Sequence, residues 1–240
     1  MRVDVWSDVV CPFCYIGKKR LEAVAKEQGI ELEVHWHSFQ LDPEAPTTRE
    51  VSNSERLAAK YGRTVAEVED MQRNIAEMAK SEGIEFNWEN ANSGNTFNAH
   101  RLIHLAQSQG LGDAAKEALF YSYMTQGLSI GERETLEDVA ARIGLNPVEV
   151  DDLLDSDEYA DFVKFDEKMA RDQLNVTAVP FFVFDQRIAL AGAQPREVFA
   201  KVFEEALKPP TQKDQSTVNE QADSESNVDA QCDIDSDKNC

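Results

Sequence analysis

The chain has 240 residues, 42% of them apolar, which is enough for one large domain or two small ones with a substantial core. Its formal net charge of −21 argues against nucleic acids and anionic membrane surfaces as partners, because both need basic patches. No apolar run approaches the length of a membrane span, and Asp4 and Asp8 stand where a secretory signal would carry its apolar stretch, so a cytoplasmic protein is expected.

In chain order, Val3-Asp4-Val5-Trp6 alternates polar and apolar residues and predicts a short strand. Ile16 through Gln28 has the spacing of an amphipathic helix, ended by Gly29. Between them lies Cys11-Pro12-Phe13-Cys14. A cysteine at such a junction meets the unpaired N–H groups and the positive end of a helix, which favour thiolate over thiol. Cys11 is therefore expected to be the lower-pKa thiol, with Cys14 further into the turn and shielded. Thiolate is the form that attacks disulfides, and two cysteines three apart can close on each other to resolve a mixed disulfide. The competing reading, half of a structural zinc site, needs a second cysteine or histidine pair, and the predicted folded body offers none. Redox chemistry without a metal is the better reading.

Glu31 through His37 alternates as a second strand, and regular structure stops at Pro43. His35 and His37 share one face of that strand, which reads as a half-exposed sheet face in the absence of a third ligand. Helices are predicted over 54–61 and 65–83, the second capped by Thr64, with Met71, Ile75 and Met78 as an apolar core stripe. Asn95 caps the next, which carries His100 and His104 on one face. Leu119 to Met124 is apolar and aromatic. Thr135 opens another helix with a capping-box-like pattern and Asn146-Pro147 a further one, followed by helical spacing over 159–174. No strand is predicted between 44 and 172. Val179 through Phe184 is apolar throughout, as in a strand buried on both faces. Asp185-Gln186 turns the chain into Arg187–Ala191, and a last helix runs from about Pro195 to Lys208.

Beyond Pro209-Pro210 the chain is polar, with eight carboxylates against two lysines, and is expected to be disordered. Cys232 and Cys240 lie there. As a flexible chain the linker from Lys208 spans roughly 25–30 Å, so this pair is a candidate auxiliary redox site able to reach the first.

The βαβ and ββα units, with Cys-x-x-Cys after the first strand and Val-Pro before the third, resemble a thioredoxin fold. The helical block resembles the insertion of the DsbA family. Trp6-Ser7-Asp8 ahead of Cys-Pro-Phe-Cys-Tyr-Ile-Gly is similar to the FrnE-like branch of that family. So are Phe39-x-Leu-x-Pro43, Asn95-Thr96 followed by Ala99-His100-Arg101-Leu102, and Val179-Pro180-Phe181-Phe182. The resemblance implies a discontinuous thioredoxin-fold domain, 1–43 and 172–208, with a helical insertion at 44–171 and a tail at 209–240. It implies a thiol–disulfide oxidoreductase or isomerase in which Cys11 is the exposed nucleophile and Cys14 the buried resolving thiol. Pro180 would follow a cis bond, with Pro12, Phe13, Val179 and Pro180 forming the substrate-binding surface. No cofactor is expected beyond glutathione or another low-molecular-weight thiol as co-substrate. The partners are protein or small-molecule thiols and disulfides, with the chain a monomer or homodimer. Two other readings stand beside this one, a glutathione-dependent isomerase or transferase of the kappa-class type and a peptide-binding chaperone module.

Overall fold

The computed structural model describes residues 1–47, 51–92 and 94–209; the predicted tail disorder and the Cys232/Cys240 pair lie outside the described residues. Strand β1 (Arg2–Ser7) lies at the centre of a four-stranded sheet. It pairs in parallel with β2 (Glu33–Ser38), Val5 opposite Trp36, and antiparallel with β3 (Phe181–Phe184), Val5 opposite Phe182. Strand β4 (Ile188–Ala191) forms the edge beside β3, giving the order β2-β1-β3-β4. Asp185 and Gln186 both have positive φ, 45° and 57°, which matches the twist of a two-residue hairpin turn.

Helix α1 (Pro12–Gln28) makes the crossover from β1 to β2, as parallel pairing requires, and ends on Gly29 in the left-handed conformation. It shares one sheet face with α9 (Arg196–Ala206), whose Phe199 and Phe203 meet Phe182 and Phe184 edge-on at 5.2 and 5.6 Å. Gly17 lets α1 lie directly on the sheet. A Cβ there would stand 3.0 Å from Pro180 Cγ and 3.1 Å from Phe182 Cζ.

Between β2 and β3 the chain forms α2 (Asn53–Tyr61), α3 (Val65–Ser81), α4 (Phe97–Ser108), α5 (Gly112–Met124), α6 (Arg133–Ile143), α7 (Pro147–Leu154) and α8 (Ala160–Lys168), the last running into a π-helical turn at Met169–Gln173. Thr64 makes the reciprocal capping box with Glu67, and Asn146 caps α7 by accepting from Val148 N–H. Helices α4, α5 and α8 pack against β2, α8 on the face of Trp6 and His37 and α5 beside α1 on the face of Trp36.

Several expectations are corrected. Strand β3 is not buried on both faces: Phe182 and Phe184 are, whereas Phe181 and Val183 are partly open, because the second helical layer covers β2 more fully than β3. Thr135 lies inside α6 with its side chain packed, since the helix starts two residues earlier. Thr96 holds the cap position of α4, although Asn95 still accepts from Phe97 N–H. Met71 and Met78 are 37% and 38% exposed, because α3 buries its Val68, Gln72 and Ala79 face instead.

His37 fastens the sheet to the helical layer. Its ring stacks on Trp6 at 4.4 Å, Nδ1 lies 2.8 Å from Asp166 of α8, and Nε2 lies 2.9 Å from Asp4 of β1. Burial disfavours the imidazolium, but the two carboxylates outweigh it and raise its pKa from 6.5 to about 9. A raised native pKa means stabilisation that is complete below 6.5 and lost as the pH climbs through about 9. His37→Gln should therefore lower unfolding free energy by about 1–3 kcal/mol at pH 6, the gap to the wild type closing above pH 9. Urea melts of both proteins across that range check this.

Candidate active site

Cys11 is the N-cap residue of α1, in an extended conformation, and Pro12 supplies the first helical position, where its missing N–H costs nothing. Cys14 sits one turn in, its N–H donating to the Cys11 carbonyl at 3.0 Å. The two cysteines approach to 3.4 Å, and neither is in a disulfide. The Val179–Pro180 bond is cis, as the family resemblance implies. It brings Val179 opposite the motif, where the Cys11 thiol donates to the Val179 carbonyl across 3.7 Å.

The expected contrast between an exposed and a buried sulfur is smaller than the sequence suggests. Cys11 is 5% exposed and Cys14 is 1% exposed. What separates them is access: Cys11, with Pro12, Phe13 and Val179, borders a cleft that runs from the motif toward α2 and α3, while Cys14 lies behind it. The structure thus gathers Cys11, Cys14, Pro12, Phe13, Val179 and Pro180 in one place.

Beneath the motif lies a buried charged cluster whose lysine the sequence reading did not single out. Lys116 of α5 is wholly buried, donates from Nζ to the Ser7 carbonyl at 3.1 Å, and lies over the rings of Trp36 and Phe120 at 5.3 Å each. Burial pulls its pKa down to about 8 against the attraction of Cys14, Asp8 and Cys11. Asp8 and His100 are also buried, with His100 Nε2 3.4 Å from Asp8 Oδ1, and Asp8 Oδ2 accepts from Leu41 N–H at 2.8 Å. Burial opposes ionisation of Asp8, but His100, Leu41 N–H and Lys116 hold it below the usual carboxylate range. Burial pushes His100 down, so its ring is neutral at neutral pH. The other histidines stand apart from the motif, His104 beside Ser38 and Asp166, and His35 beside Glu33. Among the described residues, no cluster of three or more His, Cys, Asp or Glu side chains is placed to hold a metal ion.

These charges act differently on the two thiols. The sulfurs titrate as a pair, because an anion on one holds the proton on the other. The hydrogen bond with Cys14, followed by burial, drives Cys11 well above the ordinary cysteine value, with Asp8 adding repulsion. For Cys14, burial is outweighed by the hydrogen bond from Cys11, the Ser7 hydroxyl and the Lys116 ammonium, and its pKa falls. The helix N-terminus favours a thiolate on the motif, and Lys116 faces Cys14, so a negative charge shared between the two sulfurs is drawn toward the inner one.

A signal for Lys116 exists in the sequence only in hindsight. It shares the helical face of Ala115, Leu119 and Phe120, where a lysine would otherwise be read as a solvated residue beside Asp113 and Glu117.

A family model described as a DSBA-like thioredoxin domain matches residues 2–204. A solved structure of a probable DsbA oxidoreductase from Streptomyces coelicolor superposes with a TM-score of 0.82 at 35% identity, covering 88% of this chain and 93% of that one. An uncharacterized protein, YwbO of Bacillus subtilis, is 27% identical over 87% of this chain and 98% of its own length. The cytosolic disulfide reductase DsbM of Pseudomonas aeruginosa, 18% identical, shares the fold with a TM-score of 0.60, over 86% of this chain and 98% of that one. Among the described residues, no helix is long and apolar enough to cross a membrane.

Replacing Lys116 with Met should raise the pH at which the cysteine pair first ionises and cut the thiolate population near neutral pH about tenfold. A pH titration of thiolate absorbance, paired with iodoacetamide labelling rates, reads this directly. A midpoint unmoved by the substitution would limit Lys116 to a packing role.

Proposed function

The chain belongs to the DSBA-like thioredoxin domain family, and from that premise we propose that it is a thiol–disulfide oxidoreductase working through Cys11 and Cys14. The observation that carries the reading is the placement of the Cys11 thiol at the cleft, 3.7 Å from the Val179 carbonyl, with a second thiol directly behind it. Cys11 is the sulfur a substrate disulfide can reach. As the disulfide approaches, the proton between the sulfurs passes to Cys14 and the Cys11 thiolate attacks, forming a mixed disulfide. Engagement of Cys11 frees the Val179 carbonyl to pair with an extended substrate segment. The substrate thiolate expelled in that attack takes the Cys14 proton; the Cys14 thiolate, beside Lys116, then attacks Cys11 Sγ and releases the second substrate sulfur. The same steps reversed oxidise a dithiol, and the reduction potential decides the direction.

We read residues 1–43 and 172–208 as the thioredoxin body and 44–171 as an inserted unit that contributes Lys116 and His100 to the chemistry. The substrates are protein or low-molecular-weight thiols and disulfides, and we assign the activity to the cytoplasm, where reducing conditions would keep the pair as a dithiol. No metal or organic cofactor enters any step.

Cys11→Ser should bring disulfide exchange with a model substrate down to the uncatalysed rate. Cys14→Ser should keep the first attack and accumulate a substrate adduct on Cys11, visible by mass spectrometry. Turnover that survives Cys11→Ser, or an adduct found on Cys14, would refute these roles; peptide holding that survives without any exchange would favour the chaperone reading.

A further inference from the structure

The cleft beside Cys11 continues as a cavity of about 290 Å³ beneath α2 and α3. Its rim is apolar and open: Phe13, Leu41, Tyr61 and Met71 are 38%, 40%, 54% and 37% exposed. Its floor is closed: Val68, Phe86 and Tyr123 are 1%, 8% and 2% exposed, and Asn53, Gln72 and Thr96 are buried beside them. Walls that grade from open to buried favour a compact group over a continuous chain. Of the charged lining residues, Asp8 is buried against His100 and Lys116, which leaves Asp42, Arg56 and Lys60 facing the cleft. Both cations are already engaged. Arg56 Nη1 lies 3.9 Å from Asp42 and Nη2 donates to Asn53 at 2.8 Å, while Lys60 donates to the Leu41 carbonyl at 3.5 Å. With a net charge of −21 on the chain, a multiply anionic ligand approaches this mostly apolar lining against the overall field.

Resting on the oxidoreductase reading, we propose that this cavity selects a neutral, apolar low-molecular-weight disulfide, and holds one of its substituents while Cys11 reacts. The Cys11 thiolate attacks the near sulfur of R–S–S–R, forming Cys11–S–S–R with R in the cavity, and the departing R–S⁻ takes the proton that Cys14 holds. The Cys14 thiolate then attacks Cys11 Sγ, closing the Cys11–Cys14 disulfide and freeing the second R–S⁻. Two electrons pass from the protein dithiol to the substrate, and a dithiol reductant restores the protein.

The test uses the full chain with Cys232→Ser and Cys240→Ser, reduced, in single-turnover mixing. The probes are a neutral dipyridyl disulfide, a bis(nitrobenzoate) disulfide, glutathione disulfide and an unfolded disulfide-bonded protein. Each rate is divided by that probe's rate with a free Cys-Pro-Phe-Cys peptide, which removes intrinsic reactivity. The neutral aromatic probe should lead both anionic ones by about tenfold or more, the scale on which an apolar pocket discriminates. Met71→Lys, at the exposed rim, should shrink that lead severalfold by adding an uncompensated cation. Equal normalised rates, a lead for glutathione disulfide, a lead for the unfolded protein, or a ratio unmoved by Met71→Lys would each overturn the proposal while leaving exchange chemistry intact. Failure to react with any probe faster than the peptide would overturn the oxidoreductase reading along with it.

Discussion

An ammonium with no path to water is costly to keep charged unless negative groups stand close to it, and Lys116 is such an ammonium. Two groups answer it from different parts of the chain: the Asp8 carboxylate, just before the motif, and the thiolate on Cys14. When the cysteines are joined, Asp8 alone balances the lysine. When they are reduced, the thiolate also draws on it, so the same cation makes the reduced, ionised state less unfavourable than burial would otherwise allow. The aromatic faces of Trp36 and Phe120 hold the ammonium in place without neutralising it. Lys116 thus adds to the attraction that lowers Asp8, beside His100, and to that on the inner sulfur, beside the hydrogen bond from Cys11.

Because Lys116 and His100 come from α5 and α4, the helical layer takes part in the electrostatics of a motif that the sheet carries. The two parts are joined near the motif by Lys116 reaching the Ser7 carbonyl, and at the far side of β1 by His37 between Asp4 and Asp166. Trp6 adds a third tie, donating from its indole to the Asp166 carbonyl at 3.2 Å. A motif between two such ties is held in one geometry, which is what exchange between sulfurs a few ångströms apart requires.

Much of this was legible in the order of residues. The strand–motif–helix unit is local: alternation in β1, proline at the first helical position and Gly29 at the end specify it without distant contacts. The caps at Thr64 and Asn146 are local too, and the structure has them. The errors come where tertiary packing decides. An apolar stripe with Met71 and Met78 has the period of a core face, but only the position of α3 over the cleft determines which face is buried. The alternation of β3 was hidden because all its residues are apolar, leaving nothing in the sequence to distinguish its covered side from its open one. Lys116 could not be found because its partners, Ser7, Asp8 and Cys14, lie about a hundred residues away. The helix-end argument for Cys11 was sound physics applied to an incomplete set of charges.

Gly17 leaves no room for a side chain between α1 and the Pro180–Phe182 segment, so the helix that bears the sulfurs and the strand end that bears Val179 touch directly. The gap between nucleophile and substrate edge is therefore a packing distance and not a hinge setting. A protein built this way cannot retune its reactivity by opening or closing that gap, since any widening would expose apolar contact and any narrowing would collide. Diversification is then channelled to the loops and helices around the rim, where residues such as Leu41, Tyr61 and Met71 can change without disturbing the chemistry beneath them. The scaffold separates what must stay fixed from what is free to vary.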